Sequence, residues 1–205
     1  MGRYEIFLDE GVSLSDATAT ALRIFEIVLE DATPESVASF GELVAFEGGR
    51  PTSRTRFYAD AVELAASPAF SSDADTCLSI ARVHPRPLEV VWMERHFKHT
   101  QVFLPLNAQP YCVVLAPPGE GNVPNLGKVR ALRFEGDCGL LMHRGTWHEF
   151  PFALEATTDF VVVLRNETNR NLDAIEGGEA IGEDLEKRNI GKRLGIRLRV
   201  NNRAS

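Results

Sequence analysis

A mainly β fold, an antiparallel sandwich or barrel carrying a few short helices, is predicted by three observations. Six or more short runs have strand length and strand composition. Turn-forming Gly, Pro, Asn and Asp punctuate them, and little of the chain has helical periodicity. The 205 residues suffice for one domain with a substantial core.

From Ala21 the run ALRIFEIVLE sets Leu22, Ile24 and Glu26 against Arg23, Phe25 and Ile27, a half-buried strand. Thr33, Pro34 and Glu35 start a short helix, with a capping hydroxyl, a proline in the first turn and an acid at the positive end. Gly41 ends that helix after Phe40, and residues 43–46 resume as strand. Residues 48–53 are a loop by composition, residues 54–72 have no clear pattern, and residues 77–83 are a strand stopped by Pro85 and Pro87. Residues 90–106 read as two strands around a turn, and residues 111–116 as a further strand. Residues 117–127 form an exposed loop rich in Pro and Gly. Strands over 129–134, 139–143 and 158–164 complete the sheet-forming part. Residues 1–20 form a patternless arm, 21–175 the domain, and 176–205 a tail that is first acidic and then basic. From Lys187 to the end that tail holds seven Lys or Arg and no acid, and reads as solvated.

The net charge of −7 argues against nucleic acid or an anionic membrane as the main partner. No apolar run approaches the roughly 20 residues that span a bilayer, and the start lacks a secretory layout. Cys77, Cys112 and Cys138 are scattered, two of them in apolar runs, so buried structural thiols in a reducing cytoplasm are expected.

Four of the five histidines fall in two clusters. In the first, Trp92, Glu94 and His96 share one face of a strand, and Gln101 opens the next strand after a turn at 97–100. The second is His143-Arg144-Gly145-Thr146-Trp147-His148. Two imidazoles, a carboxylate and an amide on adjacent strands suit a divalent transition metal, without selecting which.

Glu94-x-His96-x4-Gln101 resembles the first cupin motif, His-x-His-x4-Glu. HRGTWH, residues 143–148, resembles the second, Pro-x-Gly-x-x-His, keeping Gly145 and His148. MERH, TQVFLPL, YCVVLAP, HRGTWH and TDFVVVLR in this order are similar to the ureidoglycolate lyase family, from about residue 88 to 165. The resemblance implies a cupin-like antiparallel barrel (a double-stranded β-helix) in a cytoplasmic homodimer. It implies cleavage of ureidoglycolate to glyoxylate and urea in allantoin breakdown, assisted by a divalent metal, usually nickel. On this resemblance His96, His148, Glu94 and Gln101 are the metal ligands, and His143, with Glu94 and Arg144, the catalytic group. Arg82, Arg165, Trp147 and Gln101 are then the residues that bind substrate, with a guanidinium for its carboxylate.

The chain departs from the family at several places. Glu149 follows the Trp-His pair where a second His is common, and Met142 and Leu164 stand where polar residues are usual. Phe97-Lys98-His99 replaces the usual Pro and Gly after ERH. These departures bear on the substrate more than on the fold, because a barrel keeps its metal corner while its pocket changes. A metal-dependent cupin oxygenase or isomerase acting on another small acid, and a non-catalytic ligand-binding cupin, are the alternatives.

Overall fold

The computed structural model describes residues 22–46, 51–54, 58, 61–66, 68–175 and 177–201. The arm at residues 1–20 lies outside the described residues. Strand β1 (Arg23–Asp31) leads through helix α1 (Pro34–Val37) to β2 (Gly41–Val44), and β3 (Thr52–Arg54) pairs with β4 (Glu63–Ala65). Then come β5 (Thr76–Val83), β6 (Glu89–Val90), β7 (Trp92–His96), β8 (Gln101–Pro105) and β9 (Tyr111–Ala116). They are followed by β10 (Arg130–Phe134), β11 (Gly139–Met142), β12 (Trp147–His148), β13 (Phe152–Ala153), β14 (Thr158–Arg165) and helix α2 (Asn166–Ala174). Strands β15 (Ala180–Ile181) and β16 (Leu185–Asn189), helix α3 (Ile190–Leu194) and β17 (Ile196–Asn201) close the described chain.

Two sheets result. The larger runs β15-β16-β7-β12-β9-β10-β1-β17-β6, with β13 also on β9, and the smaller runs β2-β11-β8-β14-β5. Every pairing is antiparallel except those of β1, which lies parallel to β10 and β17. The mainly β, cupin-like fold expected from the sequence is what forms. Its core lies between the sheets, where Tyr111, Val113 and Leu115 of β9 meet Phe103, Leu140, Phe160 and Val162 of the smaller sheet. Strand β9 is buried along its whole length, so its alternate residues Cys112, Val114 and Ala116 face a second core with Trp147, Phe152, Ile190 and Leu198. Burial pushes the Cys112 thiol up to about 12, which keeps it protonated and inert. Among the described residues no helix is long and apolar enough to cross a membrane.

The helix start at Thr33 forms as expected, with its hydroxyl accepting from the Ser36 N–H at 3.1 Å and Pro34 in the first turn. Gly41 does not cap that helix. It opens β2, where a Cβ would stand 1.9 Å from the Leu141 carbonyl oxygen, so only glycine lets β2 lie this close to β11. Thr52 and Ser53, expected in a loop, pair with Leu64 and Ala65, and α2 was not foreseen.

The basic end of the chain, as far as residue 201, belongs to the fold. It is not a solvated tail: β16 pairs antiparallel with β7, and β17 fits between β1 and β6. Several of the charges of its described residues are matched inside the fold. Buried Glu186 accepts from Arg95 at 2.7 Å and from Arg188 at 2.5 Å, and Glu179 accepts from Arg193. Arg95 also donates to the Gly119 and Gly121 carbonyls and stacks over Trp147, tying the 117–127 loop to this sheet.

Candidate active site

Alternation along β7 puts Trp92, Glu94 and His96 on one face, while Met93 joins the second core and Arg95 stacks on Trp147 behind. β12 pairs with β7 so that His148 lies directly opposite Glu94. The turn before β12 is pinned to the same strand, since the Gly145 N–H donates to the His96 carbonyl at 2.6 Å. Gly145 takes φ +79°, a conformation that favours glycine. The Thr146 hydroxyl donates to the Phe40 carbonyl at 2.9 Å, anchoring the other side of the turn.

Glu94, His96 and His148 thereby bring one ligand atom each to within 4.8 Å of one another. His148 Nδ1 lies 3.0 Å from the Thr146 carbonyl, which only accepts, so Nδ1 carries a hydrogen and Nε2 is the ring atom left to face Glu94. That Nε2 is buried without a partner, 3.6 Å from Glu94 Oε1. Both ring nitrogens of His96 are buried and unpartnered, and so is Oε1 of Gln101 at the first position of β8. Buried acceptors left unpaired are costly unless something binds them, and nitrogens and oxygens of this kind fit a divalent cation. The electrostatics agree. Burial pushes the His96 imidazole down to about 3, with the neighbouring His148 adding to it, so the ring is neutral at physiological pH. Burial raises the Glu94 carboxyl, but His148, His96 and Lys187 outweigh it and hold it at about 2, ionised. A neutral imidazole and an ionised carboxylate are the forms that bind metal.

A cavity of about 150 Å³ opens beside this group, lined by Trp92, Met93, Glu94, Glu149, Phe150, Leu172 and Lys187. Burial pushes Glu149 up to about 7, although Arg86 lies 3.4 Å from its carboxylate. A second buried cluster adjoins the first. The His99 ring stacks on His96 at 4.7 Å, and its Nδ1 faces Asp184 Oδ2 at 3.2 Å. Asp184 also accepts from the Lys98 N–H at 2.7 Å and from the Thr168 hydroxyl. Burial raises its carboxyl, and the hydrogen bonds from His99, Thr168 and Lys98 overcome that and hold it well below the usual range.

Asp184→Ala is expected to lower stability by about 3–5 kcal/mol in urea unfolding, since three donors, two of them buried, lose their acceptor. A loss under about 1 kcal/mol contradicts this. The wild-type margin over Asp184→Asn should be full above the unfolded value of about 4 and vanish as pH falls through the lower folded value.

The other expected site residues are not brought to the cavity wall. His143 and Arg144 are exposed on the turn before β12. Arg82, on the edge strand β5, forms a two-bond pair with Asp159 of the neighbouring β14, and Arg165 pairs with Asp73 and Glu167. Trp147, 1% exposed, packs in the second core beneath Arg95. Of the family departures, Met142 and Leu164 are core residues, while Glu149 lines the cavity. Lys187 and Asp184 were missed because a basic run after an acidic one carries no local sign of a buried strand.

The family model for ureidoglycolate lyase matches residues 25–182. The chain belongs to the ureidoglycolate lyase family. It is 34% identical over 152 residues to a ureidoglycolate lyase of Stutzerimonas stutzeri strain A1501, covering 72% of this chain and 87% of that one. A ureidoglycolate lyase of Pseudomonas putida strain GB-1 is 34% identical over 154 residues, covering 72% and 89%. Among solved structures, a dTDP sugar isomerase from Desulfovibrio desulfuricans G20 aligns with a TM-score of 0.35 at 23% identity, over 60% of this chain and 73% of its own. Trp147 and His148 both lie within the matched residues, one in the core and one in the Glu94, His96 and His148 group.

Proposed function

We propose that this chain is a carbon–nitrogen lyase that cleaves ureidoglycolate to glyoxylate and urea, with a divalent metal held by Glu94, His96, His148 and Gln101. Nickel is the ion that the family resemblance suggests, and a cytoplasmic homodimer the setting. The observation that carries the reading is the convergence of Glu94 with two buried imidazoles whose nitrogens facing it are unpartnered, in a chain of this family.

Ureidoglycolate is a carbinolamide. Its cleavage removes the hydroxyl proton, turns that C–O bond into a carbonyl, sends the C–N electron pair to nitrogen, and returns a proton there as urea leaves. A divalent ion, when bound, lowers the pKa of the hydroxyl. His148 is held for this task by its Nδ1–H bond to Thr146, and His96 by the β7 backbone that also receives Gly145. Glu149 lines the same cavity next to His148, the place from which a carboxyl can take the hydroxyl proton and pass it to the departing nitrogen. Trp92, Phe150 and Leu172 give the cavity apolar walls that limit water.

The test is product release from racemic ureidoglycolate by purified protein, with a chelated sample alongside and ammonia assayed in the same tube. Equimolar glyoxylate and urea, without ammonia and lost on chelation, is expected. No turnover of either enantiomer by metal-loaded protein overturns the reading. Because His143 is exposed outside the cavity wall, His143→Ala should keep its metal and stay within about threefold of wild-type kcat/KM, as surface changes usually do. A hundredfold loss would place that turn against the substrate.

A further inference from the structure

A substrate with a carboxylate needs a cation at the site, and the arginines expected to supply one are engaged or elsewhere. Arg82 and Arg165 hold carboxylates of their own, Arg144 is exposed on a turn, and Arg86 is bonded to the Phe150 and Pro151 carbonyls. Among the described residues that line the cavity, Lys187 is the one cation. It sits in β16 opposite Glu94, and His148 lies opposite Glu94 on the other side. His148, Glu94 and Lys187 therefore form a row across three adjacent strands, roughly 10 Å from end to end at the usual strand spacing. That span accommodates a small hydroxy acid.

Lys187 is also loosely held. Its Nζ stands 3.7 Å from Glu94 Oε2, well beyond the roughly 2.7–2.9 Å of a charge-assisted hydrogen bond. A third of its side chain is exposed, so the ammonium can turn toward an incoming anion at little cost. The lysine belongs to the segment after residue 182, where the family match ends.

We infer that Lys187 binds the substrate's carboxylate, so that strand β16, outside the family match, completes the active site. The inference rests on the proposed cleavage of ureidoglycolate, and it extends to any small 2-hydroxy acid bound in the same cavity.

The experiment compares wild type with Lys187→Gln and Lys187→Arg, all metal-loaded and checked for thermal unfolding. It measures kcat and KM for ureidoglycolate, bound metal by elemental analysis, and the calorimetric Kd of glycolate, which has the carboxylate and hydroxyl but no urea. For Lys187→Gln, KM and the glycolate Kd should both rise about ten- to hundredfold, the loss of one charged hydrogen bond, with metal content unchanged. Lys187→Arg should restore part of that loss. Unchanged glycolate binding in Lys187→Gln overturns the inference, as does loss of metal, which would make the lysine a support for Glu94. If wild type binds glycolate but does not cleave ureidoglycolate, the proposed function fails, and the glycolate series still decides on Lys187. If wild type binds no glycolate, the inference is overturned directly.

Discussion

A chain stopped at residue 182 is expected to give no cooperatively folded protein. Strands β16 and β17 and helix α3 bury Leu185, Ile190, Ile196, Leu198 and Val200, each at most 5% exposed. At roughly 1.5–3 kcal/mol for each fully buried aliphatic side chain, their loss removes about 7–15 kcal/mol, as much as the whole stability of a typical domain. Backbone pairing goes with them. Strand β1 loses its neighbour along six registered residues, Arg23 to Val28, and β7 loses five, Trp92 to His96. Arg95 would keep its buried place behind β7 without Glu186, an uncompensated charge that is costly in itself. Near-ultraviolet circular dichroism and thermal unfolding check the expectation. A truncated chain with a sharp transition near that of the full chain would mean that the segment is an accessory to the fold.

His148→Ala is expected to lose bound metal and about a thousandfold in kcat/KM. The figure takes roughly 4 kcal/mol of transition-state stabilisation from the ion, at about 1.4 kcal/mol per factor of ten. His148 is the ligand best prepared for its role, with Nδ1 committed to Thr146 and a buried Nε2 beside Glu94. Chelated wild type should fall to the same rate as the variant. Stability supplies an independent readout, since ion at a hundred times its Kd adds about 2.7 kcal/mol to a protein that binds it only when folded. Wild type should therefore show a metal-dependent rise in Tm, and His148→Ala should show none. A variant that keeps both its metal and its rate would remove His148 from the ligand set.

The C-terminal strands and the His148 corner differ in how far local sequence reveals them. Strand periodicity places Glu94 and His96 on one face whatever lies beside them, because successive side chains alternate across any pleated strand. Gly145 marks the turn that carries His148, and the two motifs together identify the family. Those features depend on residues a few positions apart, and the chain alone determined them.

What depended on distant partners was decided by the tertiary structure. The same alternation says nothing about which strand lies next to β7, and that neighbour, β16, comes from about ninety residues later in the chain. Its charges look solvated in sequence, yet Glu186 meets Arg95 and Arg188 only once the sheet has assembled. Arg82 and Arg165 are drawn from the expected pocket by Asp159 and Asp73, while Lys187 is carried to it. In the HRGTWH turn, composition offers two histidines of equal chemistry, and pairing with β7 and β9 buries His148 while the turn leaves His143 exposed. The physical reason is common to all of these. A strand's own sequence sets which side chains share a face, but burial and pairing across the whole sheet set what that face meets.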